Sequence, residues 1–168
     1  MVRAATIDDI PRIAEIHICG WRFAYRGILS DVELFKKRLV SKSIHSLERQ
    51  FKEGLNIFVY EDEDNRIIKG FVFHGKCRDE YKENSYEAYA LYLQPEFINM
   101  GIGSALIKEV EKKAQEIGIN EIVIWVLEKN TIGRNFYQKY GFIEDGTKKQ
   151  IEEWNEVEMR MALTIAST

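Results

Sequence analysis

One short segment constrains this chain more than any other: Asn99-Met100-Gly101-Ile102-Gly103-Ser104. An apolar, strand-like run from Ala88 to Leu93 precedes it, and an amphipathic stretch from Ala105 to Ile117 follows it. A strand, a glycine turn and a helix start in that order make a ready anion site. The first N–H groups of a helix have no partner within it, and the helix dipole adds partial positive charge there. Two glycines let backbone approach a phosphate closely.

The spacing narrows the choice of phosphate ligand. A triphosphate-binding loop needs a Lys and then Ser or Thr after its second glycine, whereas here Ser104 is followed by Ala105. A dinucleotide fingerprint needs a third glycine where Leu106 stands. Glu121 lies at about the ~20-residue distance of a ribose-binding acid, but before the second strand rather than at its end.

The segment from Tyr86 to Phe142 has four elements in order. Leu91-Tyr92-Leu93-Gln94-Pro95-Glu96 precedes the loop, and Gly101 and Gly103 form it. Asn130 follows the next strand, and Phe136-Tyr137-Gln138-Lys139-Tyr140-Gly141-Phe142 closes the unit. This set resembles the GNAT superfamily of acetyl-CoA-dependent N-acetyltransferases, and a weaker resemblance runs from Val2 to about Ala162. Ile98 departs from the pattern, because the superfamily usually has Gln or Arg there. That position contributes mainly through its backbone.

Length and composition agree with an enzyme of this kind. Residues 1–168 are expected to form one domain, long enough for a substantial core. A net charge of −3 gives no basic field for nucleic acid. No apolar run approaches the ~20 residues of a membrane helix, and no secretory leader is evident at the N-terminus. Cys19 and Cys77 have no metal-ligand spacing and read as unpaired thiols. The expected location is the cytoplasm.

Periodicity predicts a mixed α/β fold in the order β-α-α-β-β-β-α-β-α-β-β, with helices on both faces of a largely antiparallel sheet. Val2 to Thr6 reads as a strand, and Ile10 to Trp21 as a helix capped by Thr6 or Asp8. Helical stretches through Leu39 and Phe51 follow. Asn56 to Glu61 and Ile67 to His74 form a hairpin, Asp79 to Asn84 a polar loop, and Ser85 to Leu93 a strand. The predicted helix Ala105 to Ile117, strand Glu121 to Leu127 and helix Thr131 to Tyr140 then lead into a closing pair, Phe142 to Thr147 and Trp154 to Thr164. The last of these strands is either a homodimer contact, as the resemblance allows, or an ordinary core strand.

The resemblance implies acetyl transfer to a primary amine of a small molecule or peptide by direct attack, with acetyl-CoA as the donor. It assigns the pyrophosphate to the backbone of Ile98, Asn99, Met100, Gly101, Ile102, Gly103 and Ser104. The pantetheine arm then falls to the strand edge at Leu91, Tyr92 and Leu93 and to Asn130. Asn130 also reads as an N-cap. Tyr137 is the expected general acid for the thiolate, and the Leu93 N–H or a neighbour at a strand bulge the oxyanion donor. Glu87 is the expected base, directly or through water. Strict alternation would place it on one face with Tyr89, Leu91 and Leu93. His74 is a second candidate. The acceptor falls to Trp21, Tyr25 and Arg26, with Arg22 one helical turn before Arg26. No metal is expected. A non-catalytic acyl-CoA-binding module is the alternative function.

Overall fold

A computed structural model describes residues 1–166. The last two positions of the expected domain lie outside the described residues. The elements are β1 (Val2–Ala4), α1 (Ile10–Tyr25), α2 (Val40–Lys52), β2 (Asn56–Glu61), β3 (Ile68–Lys76), β4 (Tyr86–Leu93), α3 (Ile102–Glu116), β5 (Glu121–Leu127), α4 (Thr131–Tyr140), β6 (Ile143–Ile151) and β7 (Glu156–Thr164). Between α1 and α2, the expected second helical stretch is a single π-helical segment, Val32–Lys37.

The strands form one sheet in the order β1-β2-β3-β4-β5-β7-β6. Every neighbouring pair is antiparallel except β4 and β5, which run parallel and pair only at Tyr86–Ile122 and Glu87–Val123. Beyond those two rows the strands diverge, and the gap between them opens the sheet from within. β7 lies between β5 and β6, so the stretch around Met159 and Met161 is an interior strand rather than an edge.

Helices cover both faces. On one face α3 and α4 bury Leu106, Ile107, Val110 and Tyr137 against Ile122, Ile124, Met159 and Met161. On the other, α1 and α2 bury Ile10, Ile13, Ile16 and Leu47 against Ile57, Val59, Phe71 and Phe73. Ile10, Ile13 and the equally buried Ala14 stand at three- and four-residue spacing on α1, which gives the helix one apolar stripe. Burying each such side chain stabilises the fold by about 1.5–3 kcal/mol.

Two departures from the expected elements shape the gap. α3 starts at Ile102, three residues early, because Gly101 takes the left-handed conformation (φ 79°) and turns the chain directly into the helix. The glycine loop is therefore already the first helical turn. In addition, β4 carries an extra residue. Phe73 pairs with Ala90 and His74 with Ala88, which leaves Tyr89 as a bulge.

Candidate active site

The gap between β4 and β5 is the mouth of a cavity of about 1000 Å³. Its walls come from the second half of α1, the end of β4, the glycine loop, the middle of β5 and one face of α4, together with Trp154 and Glu158. Leu91, Tyr92, Leu93, Ile98, Asn99, Gly101, Ile102, Gly103, Ser104, Asn130, Tyr137, Trp21 and Tyr25 all line it. Residues read from five separate stretches of sequence thus meet at one place. Met100 does not line the cavity; its side chain is 61% exposed, so only its backbone belongs to the loop.

The end of the cavity at the glycine loop is built from backbone. Ile102, Gly103 and Ser104 form the first turn of α3, so their N–H groups have no carbonyl within the helix to bond. Asn99, at φ 62°, and Gly101 bend the loop so that this turn opens on the cavity. At the strand end, the Gln94 N–H donates to the Lys69 carbonyl at 2.9 Å. Alternation then aims the Leu91 and Leu93 N–H groups away from β3, into the gap. Asn130 caps α4 by accepting from the Gly133 N–H at 3.0 Å and also lines the cavity.

Of the two tyrosines of α4 that line the cavity, Tyr140 donates its hydroxyl to Glu111, and Tyr137 is the other. It is 6% exposed, and its hydroxyl makes no protein hydrogen bond among the described residues. Burial, and secondarily the neighbouring Tyr25, push its pKa well above the ordinary tyrosine value. It is therefore a protonated O–H donor at neutral pH. Across the cavity the hydroxyls of Tyr25 and Tyr92 share a hydrogen bond at 3.0 Å. Burial also raises the pKa of both, so this pair stays protonated too.

The end of the cavity at α1 is aromatic. Trp21 meets Tyr25 edge-on, with centroids 4.9 Å apart, and meets Trp154 at 5.5 Å. His17 stands beside Tyr92 at 5.1 Å, and burial lowers its pKa to about 4, so it is a neutral imidazole. Trp154 and Glu158 were missed in the sequence. They lie more than a hundred residues from α1, and no spacing links them to it.

Four residues named as candidates from the sequence are placed elsewhere. Glu87 is 1% exposed and does not line the cavity. Arg78 holds both of its oxygens: Nη2 donates to Oε1 at 2.6 Å, while the backbone N–H and Nε donate to Oε2 at 2.9 and 3.2 Å. The Tyr89 bulge is the reason the face assignment fails. Tyr89, Ala90 and Tyr92 pack on the α1 side, and Leu91 and Leu93 on the α3 side. Arg26 is exposed at the end of α1 and is not part of the cavity lining. Arg22 braces the π-helical segment instead, donating to the carbonyls of Leu34 at 3.0 Å and Arg38 at 3.1 Å. His74 is buried, stacked on Phe58 and bonded to the Tyr86 hydroxyl at 2.9 Å, away from the cavity. The described residues contain no cluster suited to a metal and no helix long and apolar enough to cross a membrane. Cys19 and Cys77 are free thiols.

A helix-terminus anion loop beside splayed strands, facing a buried tyrosine donor, is the arrangement of a coenzyme-dependent acyl-transfer enzyme. Residues 11–142 match the model of the acetyltransferase (GNAT) family, and the chain belongs to that family. It is 30% identical over 151 residues to a spermidine N(1)-acetyltransferase of Thermoplasma acidophilum, covering 86% of this chain and 89% of that one. It is also 30% identical over 146 residues to the uncharacterised N-acetyltransferase YuaI of Bacillus subtilis, covering 83% and 78%. Among solved structures, the PaiA N-acetyltransferase of Thermoplasma acidophilum in complex with coenzyme A superposes with a TM-score of 0.73. That match is at 24% identity and covers 95% of this chain and 96% of that one. The YncA acetyltransferase of Salmonella typhimurium with acetyl-CoA gives a TM-score of 0.69 at 16% identity, covering 100% and 95%.

Proposed function

We propose that this chain transfers the acetyl group of acetyl-CoA to a primary amine of a small molecule or peptide by direct attack. The observation that carries the reading is that the α3 first turn and the Tyr137 hydroxyl open into the same cavity. When bound, acetyl-CoA supplies an activated thioester. The N–H groups of Ile102, Gly103 and Ser104 hold its pyrophosphate. The Leu91 and Leu93 edge pairs with the pantetheine amides, as a peptide adds to a sheet, and the Leu93 N–H serves the carbonyl oxygen.

The amine enters from the side of Trp21 and Tyr25. It arrives as an ammonium with an ordinary pKa of about 10.4 and must first lose a proton. Glu87 and His74 stand outside the cavity, so a cavity water beside the Tyr25–Tyr92 pair takes that proton. The nitrogen lone pair then forms the C–N bond as the C–S bond breaks. Tyr137 donates its proton to the departing sulfur, and the second proton that the acylated nitrogen sheds passes through water to the Tyr137 oxygen and restores its hydroxyl. The 30% identity to a spermidine acetyltransferase favours a polyamine among the acceptors.

Thermal unfolding and thiol release test this reading. Acetyl-CoA at a hundredfold excess over its dissociation constant should stabilise the protein by about 2.7 kcal/mol. NAD and ATP should not, and coenzyme A thiol should appear with at least one amine of a broad panel. A midpoint shift with NAD or ATP alone would remove the proposal. Tight acetyl-CoA binding with no turnover on any amine would favour a non-catalytic binding module.

A further inference from the structure

We propose that Glu158 selects the acceptor, holding the distal ammonium of a diamine or polyamine while the near amine faces Tyr137. The inference rests on the acetyl-transfer reading and adds the acceptor's recognition to it.

The charge of the cavity is its first support. Of the described side chains that line it, only Lys139 and Glu158 are charged at neutral pH, because His17 is held neutral. Lys139 shares α4 with Phe136, whose ring lies against Gly103, so the cation stands at the phosphate end. Glu158 is on β7, on the side of the aromatic walls. The lining at this end therefore combines one carboxylate with Trp21, Tyr25, Tyr92 and Trp154, while the Arg38 guanidinium stands outside the lining, over the rings of Trp21 at 4.5 Å and Trp154 at 5.8 Å. Aromatic faces attract ammonium groups and offer nothing to an anion.

The second support is that Glu158 is not saturated, in contrast to Glu87. Its directly opposed neighbour on β6, Lys149, comes closest to Oε2, at 3.1 Å, and no hydrogen bond to Oε1 is made among the described residues. The Glu158 side chain is 20% exposed and that of Lys149 46%, so water screens the pair and the attraction is small. A carboxylate accepts from several directions, and Oε1 remains for a ligand. A monoamine would leave this end unused, and an acceptor bearing a carboxylate would be repelled.

The test compares the wild-type chain with Glu158→Gln and Glu158→Asp in steady-state acetylation of spermidine, 1,4-diaminobutane, 1,5-diaminopentane and n-butylamine. The wild type should favour the diamines over n-butylamine. Glu158→Gln should lower kcat/KM for diamines roughly 10- to 100-fold, the range of a charged hydrogen bond, mainly through KM. It should leave n-butylamine, acetyl-CoA affinity and the unfolding midpoint nearly unchanged. Glu158→Asp should recover part of the loss, most with 1,5-diaminopentane. Equal losses for n-butylamine and the diamines, or none for either, would overturn the proposal. Calorimetric binding of spermidine to the coenzyme A complex separates it from the acetyl-transfer reading. Without turnover, spermidine binding that Glu158→Gln abolishes still supports the anchor, and binding that it leaves intact removes it.

Discussion

The ring of Phe136 lies directly over Gly103: a Cβ built on Gly103 would stand 2.9 Å from Phe136 Cζ and 3.0 Å from Cε2. This loop glycine is thus also a contact through which α4 packs on α3, beside the hydrogen bond from Tyr140 to Glu111. Phe136 is itself wedged against Tyr137 and Tyr140, at centroid separations of 5.2 and 6.3 Å. In Gly103→Ala the gain in helix propensity is about 1 kcal/mol, and overpacking costs about 1–3 kcal/mol. The expected net loss is about 1 kcal/mol, a fall of roughly 2–4 °C in the unfolding midpoint for a domain of this size. Acetyl-CoA affinity should fall with it, because the first turn of α3 is displaced. Thermal unfolding with and without acetyl-CoA reads both effects. An unchanged midpoint and affinity would mean that the ring swings aside freely.

Tyr137→Phe removes a hydroxyl with no protein partner among the described residues and leaves the buried ring in place. Stability should therefore change little, and the KM for acetyl-CoA should hold. The rate should fall about 10²-fold, the lower range for loss of a general acid. Turnover at the wild-type rate would transfer the proton donation to water.

The glycine turn into α3 and the placement of Tyr137 on α4 were legible in the sequence because each is local. Gly101, Gly103 and the start of α3 are contiguous, and a left-handed turn into a helix needs only a few residues to specify it. Asn130 was legible for the same reason. At the aromatic end of the cavity only Trp21 and Tyr25 were. Glu87 was placed on the face of Leu91 by strict alternation, and the Tyr89 bulge breaks that alternation in the middle of β4. Arg78 reaches Glu87 from the loop before β4, a contact that no helical or strand period encodes. Trp154 and Glu158 meet Trp21 and Tyr25 only because β7 lies next to β5, a consequence of strand order rather than of local pattern.

The Arg78–Glu87 contact makes a prediction opposite to that for a catalytic base. Glu87 is buried, and its oxygens accept three hydrogen bonds from Arg78. Glu87→Gln breaks the ion pair and leaves the loop less firmly held. The unfolding midpoint should drop by several degrees, in keeping with about 1–3 kcal/mol for charged hydrogen bonds weakened at a buried site. Turnover of the folded fraction should be retained. A collapse of kcat at an unchanged midpoint would return Glu87 to the reaction.

Two histidines, the half-buried His17 and the buried His74, predict a pH dependence of stability. Burial lowers the pKa of His17 to about 4, with Arg38 adding to the effect, and lowers that of His74 to about 4, with a smaller contribution from Lys113. In the unfolded chain each titrates near the ordinary value of about 6.5. Between those values the unfolded state binds more protons than the folded state, so stability rises with pH across that window. It is fully present above about 6.5 and is lost as pH falls toward about 4. The paired carboxylates act lower. Hydrogen bonds from Lys69 and Lys148 hold Asp62 and Glu128 below their ordinary range, so their contribution is lost only below about pH 4.5. Comparing midpoints at about pH 7.5 and about pH 5.5 therefore isolates the histidines, and the midpoint should be lower at the acid end. His74→Gln cannot titrate there, can still bond the Tyr86 hydroxyl and lies outside the cavity. It should remove roughly half of the drop, leaving the remainder to His17. An undiminished drop in that variant would mean that His74 is protonated in the folded protein without penalty, which its stacking on Phe58 and its 3% exposure argue against.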